Sequence, residues 1–109
     1  MDISESDELT TPVEYEPVNV KDVLIEMKDT AELLIDLSYS AVLHQSDEIA
    51  TEVLRLEHRM DVLELRAQMG LLMAARSPSD AEQLAPVLGI VTAADQISDA
   101  AGDIAKIVL

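Results

Sequence analysis

Pairs of acidic residues four positions apart are the residues whose type and spacing point most directly to chemistry in this sequence. At that spacing two carboxylates lie on one side of a helix, where they can share a hard divalent cation or an iron ion. Pattern alone favours a solvated acidic face, because 22 acidic residues among 109 create such pairs by chance. Cation binding stays open for the last two pairs, which form a row with only Lys106 nearby. The pairs are Glu32/Asp36, Glu57/Asp61, Asp95/Asp99 and Asp99/Asp103.

The remaining composition excludes most catalytic chemistry. Without cysteine the chain forms no disulfide, zinc ribbon or iron–sulfur cluster and has no thiol nucleophile. Without tryptophan or phenylalanine it has no aromatic cage and no base-stacking platform. The two histidines, His44 and His58, are too few for a zinc site, and no residue pattern forms an activated nucleophile. The sequence therefore predicts that the protein is not an enzyme.

The charge of the chain restricts its partners and its location. A formal net charge of -15 repels nucleic acid and anionic membrane surfaces. The first residues lack the basic and apolar regions of a secretory signal, and the longest apolar run, Leu84 to Ala94, is about half a membrane span. We therefore expect a cytoplasmic protein, peripheral to the membrane at most, with no nucleic-acid partner and no membrane insertion.

After an acidic, flexible tail predicted at residues 1–18, apolar residues recur at helical spacing along the rest of the chain. The predicted helices cover about residues 20–43, 47–75 and 78–109. Their capping residues are Asn19, Ser46 and Ser77. Pro86 should kink the third helix or split off a short first piece. Since short connections make neighbouring helices antiparallel, the predicted fold is all-α, an up-down-up three-helix bundle.

One end of the predicted bundle is apolar on every side. Met69 to Ala75 closes the second helix, and Leu84 to Ala94 lies in the first half of the third. A helix that is apolar all round needs cover all round, so this end predicts a homodimer. The alternative is a local cap by the tail, through Val13, Tyr15 and Val18. The predicted interface residues are Met69, Leu72, Met73, Leu84 and Leu88.

The segment Ala93–Ala105 resembles the signature helix of the PhoU family, which reads roughly E-R-I-G-D-H-A-x-N-I-A. Asp95 takes the position of the Glu, Asp99 that of the Asp and Asp103 that of the Asn. The arginine and histidine of the pattern are replaced by glutamine and alanine. Leu56–Asp61 is similar to the acidic motif on the preceding helix. Further matches are Ile97, Ile104 and Ala105.

A closer resemblance is to archaeal proteins in which one PhoU-like bundle precedes a TrkA-C (RCK C-terminal) domain. It covers residues 15–109 and includes runs of several identities in order. These runs are Tyr15–Pro17, Val20–Asp22 and Glu26–Leu33. The resemblance implies that a TrkA-C domain is missing from this chain. It also implies a non-enzymatic regulatory role in potassium uptake, with a cytoplasmic component of a potassium transporter or channel as the partner. The alternative is a PhoU-type regulator of phosphate transport and signalling.

The resemblance also implies a site and an assembly. In PhoU proteins the acidic motifs bind multinuclear metal clusters, usually of iron or zinc. The sequence establishes no cofactor for this chain, and the candidates for a divalent metal are iron, zinc and magnesium. Because a full PhoU protein has two three-helix bundles, two copies of this chain would form the six-helix unit. By position the metal ligands would be Glu57, Asp61, Asp95, Asp99 and Asp103.

The balance of charges predicts a salt-loving, archaeal source. The chain has only three lysines, and its acidic residues outnumber its basic ones threefold. Like-charged residues four positions apart destabilise a helix, and high salt screens their repulsion. We therefore expect folding to need high salt.

Overall fold

The computed structural model describes residues 19–109, which form three long helices. Helix α1 spans Val20–His44, α2 spans Asp47–Ala74 and α3 spans Pro78–Val108. Each helix packs against the other two, and residues 19–109 contain no strand. The predicted all-α three-helix bundle is confirmed.

Some predictions concern the N-terminal tail, contacts between chains or the membrane rather than the bundle itself. The acidic tail predicted at residues 1–18 lies outside the described residues. Dimerisation into a six-helix assembly involves contacts between chains and stays a prediction. From Asn19 onward, no helix combines the length and the hydropathy that a membrane span requires.

Side-chain caps start all three helices, at the positions that the sequence pattern indicated. Asn19, Ser46 and Ser77 each accept a hydrogen bond from a backbone N–H three residues later, at 3.4, 3.2 and 3.1 Å. Pro78 then takes the first position of α3, where a missing N–H costs nothing. Only Gln45 and Ser46 separate α1 from α2, so the chain reverses and the two helices run antiparallel.

Pro86 lies inside α3, and the helix continues through it without a break. The predicted alternative of a separate short piece is therefore wrong, whereas the kink stays a prediction. A proline leaves the carbonyl four positions earlier without its helical donor. Because Glu82, which carries that carbonyl, and Pro86 are both exposed, water can satisfy the free acceptor.

The core joins large side chains of α1 and α2 to small side chains of α3. Met27, Leu34, Met60 and Leu63 are fully buried. Since the separation of packed helices depends on the side chains between them, small residues let α3 approach α2 closely. This approach brings the acidic side chains of both helices together. The small buried residues of α3 are Ala94, Ser98, Ala101, Gly102 and Ala105.

The ion pairs of the described residues lie at the surface and neutralise few of the acidic side chains. Arg59 of α2 reaches Glu26 of α1 at 2.7 Å and joins the two helices. Exposed pairs of this kind each contribute about 0.2–1 kcal/mol. Other pairs lie within single helices, for example Lys28 with Asp29 and Glu32, and Arg55 with Glu52.

The excess of negative charge predicts a thermal midpoint that rises with salt. Each like-charged pair along a helix costs about 0.2–0.5 kcal/mol. Raising KCl from 0.1 M to 2 M shortens the screening length below about 3 Å, and we expect the midpoint to rise by about 5–10 °C. Helical circular dichroism measures it. An unchanged midpoint would show that the charge serves solubility alone. The pairs are Asp22/Glu26, Glu48/Glu52, Asp95/Asp99 and Asp99/Asp103.

Candidate functional site

The packing of α2 against α3 brings carboxylates of the two helices close enough to influence one another's charge. The Glu57 carboxyl of α2 interacts with Asp61 on its own helix and with Asp99 and Asp103 on α3. Burial raises the pKa of Glu57, nearby Lys106 lowers it, and the three negative charges raise it further. Four of the five residues predicted as metal ligands are therefore neighbours in the fold.

The fifth predicted residue, Asp95, is paired with Glu64, which the sequence analysis did not single out. Burial, a hydrogen bond with Asp95 and the negative charges around it raise the pKa of Glu64 to about 7. Glu64 Oε1 accepts a hydrogen bond from Gln68 Nε2 at 3.4 Å, whereas Oε2 is buried without a donor among the described residues. Because a carboxylate oxygen can only accept, the hydrogen bond with Asp95 requires a proton on Glu64, and it stabilises the protonated form of that residue.

The acidic pair of α1 has a different environment. Glu32 and Asp36 are both exposed, and Glu32 forms an ion pair with Lys28 at 3.3 Å. A solvated acidic face describes this pair. Among the carboxylates of α2 and α3, Glu57, Glu64 and Asp95 are half-buried, whereas the others described above are exposed.

Gly102 leaves room for the Glu57 carboxylate against the backbone of α3. A Cβ atom built on Gly102 would meet the carboxylate carbon and both oxygens of Glu57 well inside van der Waals contact. The absence of a side chain at this buried position therefore lets the carboxylate lie directly on the backbone of α3.

Replacing Gly102 with alanine should displace Glu57 without unfolding the protein. The clash involves the end of a flexible side chain, which can turn toward water, while alanine in a helix gains about 1 kcal/mol over glycine. We expect the pKa of Glu57 to fall toward its ordinary value, as followed by NMR titration of the carboxyl. Gly89→Ala is the matched control, since a Cβ there meets nothing within 4 Å. A loss of more than about 2 kcal/mol relative to this control would mean that Glu57 is fixed in place.

These carboxylates do not fit a metal centre within one chain. From Asn19 to Leu109, no group of three or more histidine or acidic side chains is placed to hold a metal ion. The acidic side chains are instead spread along two helices, and the raised pKa of Glu64 favours its neutral form, which is a poor metal ligand. Assignment of Glu57, Asp61, Asp95, Asp99 and Asp103 as metal ligands stays a prediction.

Calorimetry tests that prediction directly. We expect a single chain to bind iron(II), zinc or magnesium weakly or not at all, because three carboxylates do not converge on one point. Metal analysis of the purified protein and titration with each ion give the stoichiometry and the affinity. Tight stoichiometric binding that Asp99→Ala abolishes would contradict this expectation.

The apolar end predicted as an interface is largely exposed in the single chain. Leu72 is 76% exposed, and Met69, Met73 and Leu88 are each exposed by nearly half. Leu84, the fifth predicted residue, is half-buried. Leu72, Leu84 and Leu88 border an apolar groove of about 400 Å³ between α2 and α3. Residues 19–109 therefore leave this end without cover, and the predicted cap by the tail lies outside the described residues.

The sequence analysis missed a second exposed apolar surface, which runs along α1 and α3. On α3, Ile90, Ile97 and Ile104 follow one another at seven-residue spacing. On α1, Ile35 and Val42 are also seven residues apart. Such spacing keeps side chains on one side of a helix. The isoleucine spacing was the signal that could have revealed this surface. This α1–α3 face consists of Ile25, Ile35, Val42, Ile90, Ile97 and Ile104, all exposed.

Comparison with known proteins gives one family. The profile described as the PhoU domain matches residues 24–108, more than three quarters of the chain. The match includes all of the carboxylates of α2 and α3 described above and almost the whole three-helix bundle. No curated protein sequence matches the chain. The chain belongs to the PhoU domain family.

Proposed function

We propose that the chain is a non-enzymatic regulatory domain of the PhoU type, which controls phosphate transport by binding other protein chains. The family match supports a regulatory helical domain related to phosphate transport. The observation that carries the mechanism is the uncovered apolar end, where Leu72 exposes three quarters of its surface. Large exposed apolar patches of this kind are typical of protein interaction sites.

The chemistry of the described residues supports regulation rather than catalysis. The titratable cluster of α2 and α3 contains carboxylates and Lys106 but neither histidine, and His58 is exposed on α2. Glu64, with its pKa raised to about 7, changes its charge near neutral pH, which suits a structural element of a regulator.

A second copy of the chain is the first partner that we propose. An isologous contact would place the apolar end of one protomer against the same end of the other, and would cover Met69, Leu72, Met73 and Leu88 on both. The resulting six helices would match the number in a full two-bundle PhoU protein. A component of the transport system is the second proposed partner and would bind the assembled dimer.

The family match favours the phosphate function over the potassium function that the sequence analysis placed first. The PhoU domain is related to phosphate transport regulation, and among residues 19–109 no observation specifically supports a role in potassium uptake. We therefore propose phosphate transport as the pathway.

Uptake measurements in the source organism test the pathway. After deletion of the gene, we expect phosphate uptake to stay high in phosphate-rich medium, where the parent strain reduces it. Potassium uptake, followed with rubidium, serves as the internal control and should not change. Altered rubidium uptake together with normal phosphate uptake would overturn the proposal and favour the potassium function.

A further inference from the structure

An apolar groove of about 540 Å³ opens between the first turns of α1 and the first half of α3. Leu24 and Ile25 line it from α1, Val87 and Ile90 line it from α3, and Leu71 lines it from the end of α2. Ile25 and Ile90 are each about half exposed within residues 19–109. An occupant would remove this apolar surface from water, which favours binding. We call this the α1–α3 groove.

The α1–α3 groove adjoins the smaller groove at the apolar end of the bundle. Leu71 and Leu84 line both grooves. Leu72, the next residue along α2, borders the smaller groove and is 76% exposed. The surface proposed above for the dimer therefore continues directly into the α1–α3 groove.

A stable dimer needs more surface than the predicted interface residues supply. Specific interfaces bury about 800 Å² on each partner and involve about 20 residues a side. The exposed members of the predicted interface are four large side chains, each exposed by between two fifths and three quarters, namely Met69, Leu72, Met73 and Leu88. The two grooves add lining residues from all three helices and bring the contact close to the required size.

The charges around the grooves suit a contact between two acidic chains. Each copy has a net charge of -15, so two copies repel each other wherever their carboxylates come close. Neither groove is lined by an acidic residue, although 22 of the 109 residues are acidic. Lys21 and Lys28, two of the three lysines in the chain, line the α1–α3 groove. A second copy can therefore cover this surface without placing carboxylates of the grooves against each other.

We propose that Leu72 of each protomer inserts into the α1–α3 groove of the other protomer. This inference rests on the dimer proposed above and names the contact that holds it. A two-fold axis makes the insertion reciprocal, so the same contact forms twice. An apolar cavity of about 150 Å³ already holds a benzene-sized group. The groove, at about 540 Å³, therefore has room for a leucine side chain.

Insertion covers more of the surface than a contact between the two Leu72 side chains on the axis. Two protruding side chains that meet end to end hold the surfaces apart and leave both α1–α3 grooves open to water. A contact between the two grooves themselves would bring Lys21 and Lys28 of one copy against the same lysines of the other. Insertion avoids both arrangements, because each groove faces the end of α2 of the other copy.

Disulfide cross-linking of the whole chain tests the proposal, because the sequence contains no cysteine. A tagged Leu72→Cys protein is mixed with an untagged protein that carries Ile25→Cys or Ile90→Cys, one on each wall of the groove, and the mixture is oxidised with diamide. We expect a covalent tagged–untagged dimer from at least one of these mixtures and little covalent dimer from any variant alone. Ile97→Cys is the matched control, since it lies seven residues and about 10.5 Å beyond Ile90. A disulfide joins Cα atoms that are less than about 7 Å apart, so this mixture should give little covalent dimer.

Substitution of the groove wall gives a second measurement. Ile90→Asn should weaken association roughly tenfold, because the amide would be covered by leucine without a hydrogen-bond partner. Ile97→Asn, one heptad further along α3 and outside the groove lining, should leave association unchanged. Light scattering over a dilution series measures both, and circular dichroism shows that each variant is folded.

Three results would overturn the insertion. Efficient cross-linking of Leu72→Cys alone would place the two Leu72 side chains against each other, and the proposed dimer would stand without the insertion. A wild type of twice the chain mass that gives no cross-link in either mixture would assign the groove to another occupant, such as the N-terminal tail or a different protein. A monomeric wild type would remove the proposed dimer as well, so the measured mass separates failure of the insertion from failure of the dimer.

Discussion

Replacing Leu72 with aspartate should convert the proposed dimer into monomers. In the single chain Leu72 is 76% exposed, so the substitution costs little there. In the proposed dimer the same position is covered, and a buried unpaired charge costs several kcal/mol. A loss of about 3 kcal/mol weakens association by more than a hundredfold. Light scattering at micromolar concentration should show about twice the chain mass for the wild type and one chain mass for the variant.

Two other substitutions make the result specific. Ile107 is 80% exposed near the end of α3, far from the apolar end, so Ile107→Asp should remain dimeric. Ile97→Asp tests the α1–α3 face. A wild type that is monomeric, or an Ile97→Asp variant that dissociates while Leu72→Asp does not, would show that the apolar end is not the interface.

Replacing Glu64 with glutamine should stabilise the protein at alkaline pH and leave it almost unchanged at pH 4. The folded protein holds a proton at Glu64 up to a pKa of about 7, whereas the unfolded chain releases it near the ordinary value. The folded state thus binds more protons between these values, and the free energy of unfolding falls as pH rises through that window. The shift corresponds to about 3 kcal/mol, or about 1–2 kcal/mol after screening by solvent.

Urea unfolding between pH 4 and pH 8 measures this effect. The wild type should lose stability up to about pH 7 and then level off, whereas the Glu64→Gln variant should lose less. Glu82→Gln, at an exposed position on α3, is the matched control and should follow the wild type. Equal pH dependence in the wild type and in Glu64→Gln would mean that the pKa of Glu64 is not raised in the folded protein.

Much of the fold was accessible from local sequence signals. Asn19, Ser46 and Ser77 were visible as caps because their side chains accept hydrogen bonds from residues close by in the sequence. The buried seam of α2 followed from its repeating pattern, from Val53 through Leu56 and beyond. Each of these features arises within a single helix, so the amino-acid sequence alone is enough to predict it.

The core side of α3 was harder to predict. Leu88 and Leu109 lie at seven-residue spacing with the buried Gly102, but both leucines are exposed. A straight helix has 3.6 residues per turn, so its buried stripe drifts away from a strict heptad. The stripe instead includes Ala94 and Ala101, small residues whose burial depends on how closely α2 and α3 pack.

The candidate site depends on contacts between helices in the same way. Spacing within each helix singled out Glu57, Asp61, Asp99 and Asp103, and the packing of α2 on α3 brings their charges into one environment. Their role as metal ligands stays a prediction. Glu64 was missed because its importance comes from burial and from Asp95 on another helix. The contact of Glu57 with Gly102 also crosses between helices, and no spacing within either helix reveals it.

Phosphate uptake in a complemented deletion strain tests the central claim most directly. The claim is that this PhoU-family domain regulates phosphate transport through its apolar end. The Ile107→Asp protein should restore the reduced uptake of the parent strain in phosphate-rich medium, whereas the Leu72→Asp protein, at equal abundance, should leave uptake high. Full restoration by Leu72→Asp would contradict the account.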